Sequence, residues 1–218
     1  MDTVAAVAFV VAGVFAVVDW IACAHDRSTA PWNRVEWVCK PAVLTALVVA
    51  AAALHPAADA DARQAWFVAA LVFSLAGDVL LMLPSEQFVA GLGAFLIAHV
   101  CYIVGFWTNG PELVPFLIAA LIVAVVIGSL ARRILPGVRR EDRALVAPVT
   151  AYMAVIGVMV ATAVAVGNPI AAVGAVLFAA SDTMIAWDRF LGPFPSSGVW
   201  IMTTYHLGQA GLVVSLLR

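Results

Sequence analysis

Two aspartates stand inside apolar runs, and they are the residues most able to do chemistry. In Ser74-Leu75-Ala76-Gly77-Asp78-Val79-Leu80-Leu81, Asp78 is the only ionisable residue between Trp66 and Leu83. A second stretch, Leu177-Phe178-Ala179-Ala180-Ser181-Asp182, repeats the pattern. An acid at such a depth costs roughly 2.5–3.5 kcal/mol on insertion scales, so it needs a partner, a cavity or a proton. Two carboxyl groups in different surroundings can divide acid and base roles between them. General acid–base help of this kind contributes about 10²–10⁴-fold. The expectation is that Asp78 and Asp182 face one buried site.

Other reactive groupings are poorly supported. His25, His55, His99 and His206 form no HxxxH or HExxH pair, and His25 and His55 fall between apolar runs. A zinc hydrolase needs at least three convergent ligands and an open position. Two histidines and two aspartates converging on one ion is the metal arrangement that stays open; otherwise no metal and no cofactor are expected. Cys23, Cys39 and Cys101 follow no metal spacing and read as small apolar fillers. There is neither a GxSxG elbow nor a Walker-type loop, which disfavours a serine hydrolase or a nucleotide-driven machine.

The elements that must position the aspartates follow from composition. Of 218 residues, 65% are hydrophobic and 11% charged, and the mean hydropathy is +1.07. A soluble domain is about half apolar and a quarter charged, so the sequence reads as an all-α integral membrane bundle. A net charge of −2 gives no sign of nucleic-acid binding. Eight runs near the ~20 residues that cross a bilayer as helix lie at 3–23, 36–54, 65–83, 88–108, 113–131, 144–166, 169–187 and 198–217. Turn formers separate them: Pro31, Pro56, Pro84, Asn109-Gly110-Pro111, Pro136-Gly137, Asn168-Pro169 and Gly192-Pro193. The start, Met1-Asp2-Thr3, lacks a basic segment, so the first run is expected to stay as a helix. Residues 1–218 read as a single transmembrane helical domain, with no obligate protein partner evident.

Basic residues set the orientation. With eight spans, Arg27, Arg34, Lys40, Arg132, Arg133, Arg139, Arg140, Arg143 and Arg189 gather on one side, against Arg63 and Arg218 on the other. By the positive-inside rule the first side is cytoplasmic and both termini are extracytoplasmic. The third and seventh helices then run inward and place Asp78 and Asp182 each about 7 Å from their cytoplasmic ends. Lys40, opening the second helix with Pro41 in its first turn, joins the same layer. His99 and Tyr102 in the fourth helix, and Tyr205, His206 and Gln209 in the eighth, lie about mid-depth. Helices three–four and seven–eight read as a weak parallel repeat: an acid, a turn with Phe88 or Phe190, then a polar helix.

Six pieces in order then carry a resemblance. They are Lys40-Pro41, Ser74-x-x-Gly77-Asp78-x-x-Leu81, Phe88-x-x-Gly91-Leu92-x-x-Phe95-x-x-x-His99-x-x-Tyr102, Pro148-x-x-x-Tyr152, Gly174-Ala175-x-x-Phe178-x-x-Ser181-Asp182 with Arg189-Phe190, and Tyr205-x-x-x-Gln209. Together they resemble the YhhN/TMEM86 family, whose characterised members are lysoplasmalogenases. The resemblance implies an eight-helix membrane enzyme, multi-pass in a bacterial inner (plasma) membrane, and a lysophospholipid substrate. It implies hydrolysis of the vinyl ether bond of a lysoplasmenyl phospholipid to a fatty aldehyde and glycerophosphoethanolamine or glycerophosphocholine.

That reaction needs a proton delivered to carbon, a negative charge near the resulting oxocarbenium ion and a base for water, which Asp78 and Asp182 are expected to supply. Lys40, His99, Tyr102, Tyr152, Tyr205 and Gln209 are the candidate substrate-binding residues. Each has a plainer reading. The aspartates could pair with Lys40 merely to close the bundle, and Lys40 could snorkel to the interface. His99, the tyrosines and Gln209 could be interhelical hydrogen-bonding glue. His206 reads as structural, Asp188 and Arg189 as a surface pair, and the arginines between helices five and six as topology determinants. The alternative function is a proton-coupled transporter or lipid-binding membrane protein using the same aspartates.

Overall fold

The computed structural model describes residues 2–25, 30–55, 61–83, 87–108 and 110–217. Pro56, Pro84, Asn109, Arg27 and Arg218 lie outside the described residues. The rest is helical: α1 (Thr3–Ala24), α2 (Ala30–Ala53), α3 (Asp61–Met82), α4 (Phe88–Trp107), α5 (Leu113–Glu141), α6 (Val146–Ala165), α7 (Pro169–Phe190) and α8 (Ser197–Val214), with short 3-10 turns at Arg143–Leu145 and Ser215–Leu217. No strand occurs among the described residues. Seven helices, all but α8, are long and apolar enough to cross a membrane. The chain is a multi-pass integral membrane protein.

Local chemistry starts several of these helices. The Asp2 carboxylate accepts from the Ala5 N–H at 2.7 Å. Asn168 accepts from the Ile170 and Ala171 N–H groups, with Pro169 at the first helical position, where it costs no hydrogen bond. Asp142 accepts from the Ala144 N–H and turns the chain from α5 into α6.

Two expectations need correcting. First, α2 begins at Ala30, so Lys40 and Pro41 sit inside the helix and not in its first turn. Arg34 and Glu36 carry the helix past its apolar part, and Pro41 forfeits one backbone bond without ending it. Second, α5 does not stop at 131 but runs 29 residues to Glu141. Arg132, Arg133, Arg139 and Arg140 therefore lie on a helix; only Arg143 follows it. Pro136-Gly137 is a seat here and not a turn. A Cβ at Gly137 would come within 2.3 Å of the Phe190 carbonyl oxygen, so the missing side chain lets α5 lie against the end of α7 and bury Ile134 and Val138. The eighth run forms α8, 18 residues long; Thr203, Thr204, Tyr205, His206 and Gln209 leave it outside the seven helices that qualify as spans on apolarity alone.

Consecutive helices pair: α1 with α2, α3 with α4, α5 with α6, α7 with α8. The polar α8 is enclosed, packing on α1, α2 and α3 as well as α7. At the α7–α8 seam a Cβ on Gly208 would lie 2.8 Å from the Phe178 nitrogen, so the two backbones touch directly. The core is split. A main cluster contains Leu44, Phe67, Leu71, Phe95, Tyr102, Ile156 and Phe178. A smaller one joins Ile134 and Val138 of α5 to Leu145, Val149, Met153 and Phe190.

Candidate active site

Asp78 is 1% exposed and both its oxygens are engaged. Lys40 Nζ, from α2, lies 3.1 Å from Oδ1, and the Tyr205 hydroxyl, from α8, donates to Oδ2 at 2.8 Å. One turn along α8, Gln209 Oε1 accepts from the Tyr102 hydroxyl of α4 at 2.5 Å. Four helices are thus tied through side chains that an apolar surrounding obliges to find partners. Asp78 is thus held by a lysine on one oxygen and a phenol on the other.

Asp182 has a different setting. Its Oδ2 accepts from the Tyr152 hydroxyl of α6 at 2.5 Å, and His99 Nε2 of α4 approaches the same oxygen at 3.5 Å. His99 Nδ1 lies 2.6 Å from the Phe95 carbonyl. A carbonyl only accepts, so Nδ1 carries hydrogen, by assignment from the bonding pattern. That leaves Nε2 facing the carboxyl at 3.5 Å, buried and without a hydrogen-bond partner. The Phe178 ring stands between the two centres, 4.7 Å from the His99 ring and 5.4 Å from Tyr205.

Two cavities meet here. An apolar slot of about 60 Å³ runs between the two core clusters, lined by residues such as Phe95, Ile127, Ile134 and Ile156, and it reaches Tyr152 and Asp182. A more polar vestibule of about 350 Å³ is lined by Glu36, Trp37, Lys40, Asp188, Arg189 and Ser197, among others. Leu81, Phe88 and Ile185 line both and form the partition. Asp182 opens on the slot and Lys40 on the vestibule, whereas Asp78 stands behind Lys40.

The structure therefore brings Asp78, Lys40 and Tyr205 into one group and Asp182, Tyr152 and His99 into another. Tyr102 and Gln209 form a pair that touches neither aspartate. The Phe88 and Phe190 rings, one from each half of the repeat-like pattern, meet edge to face at 5.8 Å. Sequence reasoning missed Asp19. It is fully buried in α1, within sulfur hydrogen-bonding range of Cys23 at 4.0 Å. The signal was available, since an acid in an apolar run is what singled out Asp78. His206, read as structural, accepts at Nδ1 from the Trp20 indole N–H at 3.1 Å, which fastens α8 to α1. Among the described residues, no three His, Cys, Asp or Glu side chains gather as a metal-holding group.

A YhhN family model matches residues 35–216. The chain belongs to the YhhN family. The match begins after α1, so Asp19 and Trp20 come from outside the YhhN region. Among named relatives, a lysoplasmalogenase of Mycobacterium bovis is 37% identical over 69% of this chain and 58% of its own length. Human lysoplasmalogenase TMEM86B is 37% identical over 68% of this chain and 62% of its own. Mouse lysoplasmalogenase TMEM86B is 32% identical over 86% and 79%. The chain thus spans about three-fifths of the first two relatives. No solved structure matches this YhhN chain.

Proposed function

We propose that this YhhN protein is a lysoplasmalogenase, hydrolysing the vinyl ether bond of a lysoplasmenyl phospholipid to a fatty aldehyde and glycerophosphoethanolamine or glycerophosphocholine. One observation carries the reading: a carboxyl group hydrogen-bonded by Tyr152 and faced by His99 opens on an apolar slot beside a polar vestibule. The slot suits the first carbons of a single hydrocarbon chain and the vestibule a headgroup, and relatives are named for the activity.

In this mechanism Asp182 is the general acid. It gives its proton to the outer carbon of the vinyl ether, the C=C π pair forms the new C–H bond, and positive charge appears on the carbon bonded to oxygen. Asp182, now a carboxylate, lies beside that oxocarbenium ion and then takes a proton from the water that adds to it. The hemiacetal collapses as its hydroxyl proton is transferred to the glycerol oxygen, the C–O bond to glycerol breaks, and aldehyde and alcohol separate. Tyr152 and His99 fix the Asp182 carboxyl, and the Asp78–Lys40–Tyr205 group supplies a preorganised field at the partition. Tyr102 and Gln209 hold α4 to α8. Orientation belongs to the same proposal: all eight helices cross, both termini are extracytoplasmic, the vestibule opens to the cytoplasmic side, and the membrane is a bacterial inner membrane. Residues 1–218 act as one domain.

The test is aldehyde release from a lysoplasmenyl lipid by detergent-purified protein, compared with Asp182→Asn and Asp78→Asn. Loss of activity in folded Asp182→Asn supports the mechanism. No aldehyde from folded wild type, with or without divalent metal, would sink the substrate assignment. The Tyr102–Gln209 pair continues the polar side chains toward mid-depth, which favours proton-coupled transport as the second reading; proton flux in vesicles without aldehyde release would select it.

A further inference from the structure

Arg189 has a placement that the proposed chemistry leaves unused. It lies in the last turn of α7, and its Nη2 donates to Glu141 Oε1 at the end of α5, at 2.7 Å. Its guanidinium also covers the Phe88 ring, 4.0 Å from the centroid. Phe88 is one of the three residues of the partition, so the arginine that faces the vestibule also holds the wall between vestibule and slot. Because Arg189 is 28% and Glu141 38% exposed in their side chains, their ion pair contributes little and gives way easily to a better anion.

A phosphodiester is such an anion. The guanidinium fork matches phosphate oxygens two at a time, which an ammonium does not. Lys40, the other cation named on the vestibule, is already committed to Asp78 at 3.1 Å. Spacing agrees as well. Seven residues of helix separate Asp182 from Arg189, about 10 Å along the axis. In a lysoplasmenyl lipid, six bonds separate phosphorus from the first vinyl carbon, about 8 Å when extended at ordinary bond lengths. A phosphate on Arg189 therefore sets the vinyl ether beside Asp182, with the chain crossing the plane of Leu81, Phe88 and Ile185.

We propose that Arg189 is the phosphate-reading residue of this site, and that its transfer from Glu141 and Phe88 to the substrate phosphodiester frees the Phe88 ring and joins vestibule to slot. The inference rests on the lysoplasmalogenase reading for its substrate class. A vinyl ether without phosphate lacks the means to move Arg189 and meets a closed partition.

The experiment compares a lysoplasmenyl-ethanolamine with the corresponding 1-alkenylglycerol as substrates of wild type, Arg189→Gln, Arg189→Lys and Phe88→Ala, each checked for folding by its melting curve. Binding of the uncleavable saturated ether lysophospholipid, followed by tryptophan fluorescence, is measured in parallel. Arg189→Gln is expected to reduce the kcat/KM preference for the phosphorylated substrate about tenfold to a hundredfold, chiefly through KM, as loss of a charge-assisted hydrogen bond implies. Arg189→Lys should fall between, and Phe88→Ala should speed the phosphate-free substrate. An Arg189→Gln protein that slows both substrates in proportion, or binds the saturated analogue as tightly as wild type, overturns the proposal. Arg189-dependent binding of the analogue by a wild type that releases no aldehyde would retire the hydrolase reading and leave the phosphate site standing.

Discussion

Asp78 and Asp182 look equivalent as letters, each set in an apolar run, yet their neighbours give them unlike tasks. Asp78 has Lys40 on one oxygen and Tyr205 on the other. Replacing it by asparagine strands a buried lysine, and breaking a buried pair in this way costs about 3–5 kcal/mol. Asp78→Asn is therefore expected to lower the melting temperature clearly. Asp182→Asn, which leaves no cation stranded, should melt close to wild type while losing activity. A thermal unfolding series on the two proteins checks this contrast, and equal melting temperatures would contradict it. Tyr152→Phe removes one hydroxyl donor from Asp182 and should reduce kcat more than it raises KM, because in the proposed mechanism it disturbs the general acid rather than lipid binding. The residue types of the site were all legible in the sequence, including both aspartates, Tyr152, His99 and Lys40. Their partition into two groups was not, since pairing between helices far apart in the chain leaves no trace in spacing. Asp19 is legible by the same rule as Asp78, an acid in an apolar run, although no motif surrounds it.

At the scale of elements, hydropathy located every helix and misjudged the ends of two. Arg34 and Glu36 in α2, and Arg132 through Glu141 in α5, are polar enough to look like loops. Helices continue past the apolar layer wherever their residues favour helix and something receives them; for α5 the receiver is the backbone at Phe190, admitted by Gly137. Pro-Gly is a sound breaker signal only where no neighbour compensates. The α7–α8 seam is held to a similarly close approach. A methyl at Gly208 would sit 2.8 Å from the Phe178 nitrogen, a backbone atom that cannot swing aside. Gly208→Ala should therefore push α8 from α7, lengthen the Ser181 Oγ to Ile201 carbonyl bond now at 3.1 Å, and destabilise by about 1–3 kcal/mol as overpacking does. Chemical or thermal unfolding of the variant in a fixed detergent measures it, and an unchanged midpoint would show that the seam yields.

Across the whole molecule, the interior is divided between two clusters, and the slot lies on the boundary between them. The smaller cluster gathers Ile134, Val138, Leu145, Val149, Met153 and Phe190; its α5 contribution hangs from a helix that otherwise faces outward along Leu113, Leu117, Leu121 and Val125. Cooperative units of a protein open separately, each at the free energy its own contacts set. Backbone amides around Ile134–Val138 and Leu145–Val149 should thus exchange with deuterium sooner than those around Phe67–Leu71, and hydrogen-exchange mass spectrometry in nanodiscs would record the difference. Such breathing would leave the Asp78–Lys40–Tyr205 group at rest. A lipid chain would then enter by the fluctuation of one small corner, while the part that carries fixed charge keeps its shape.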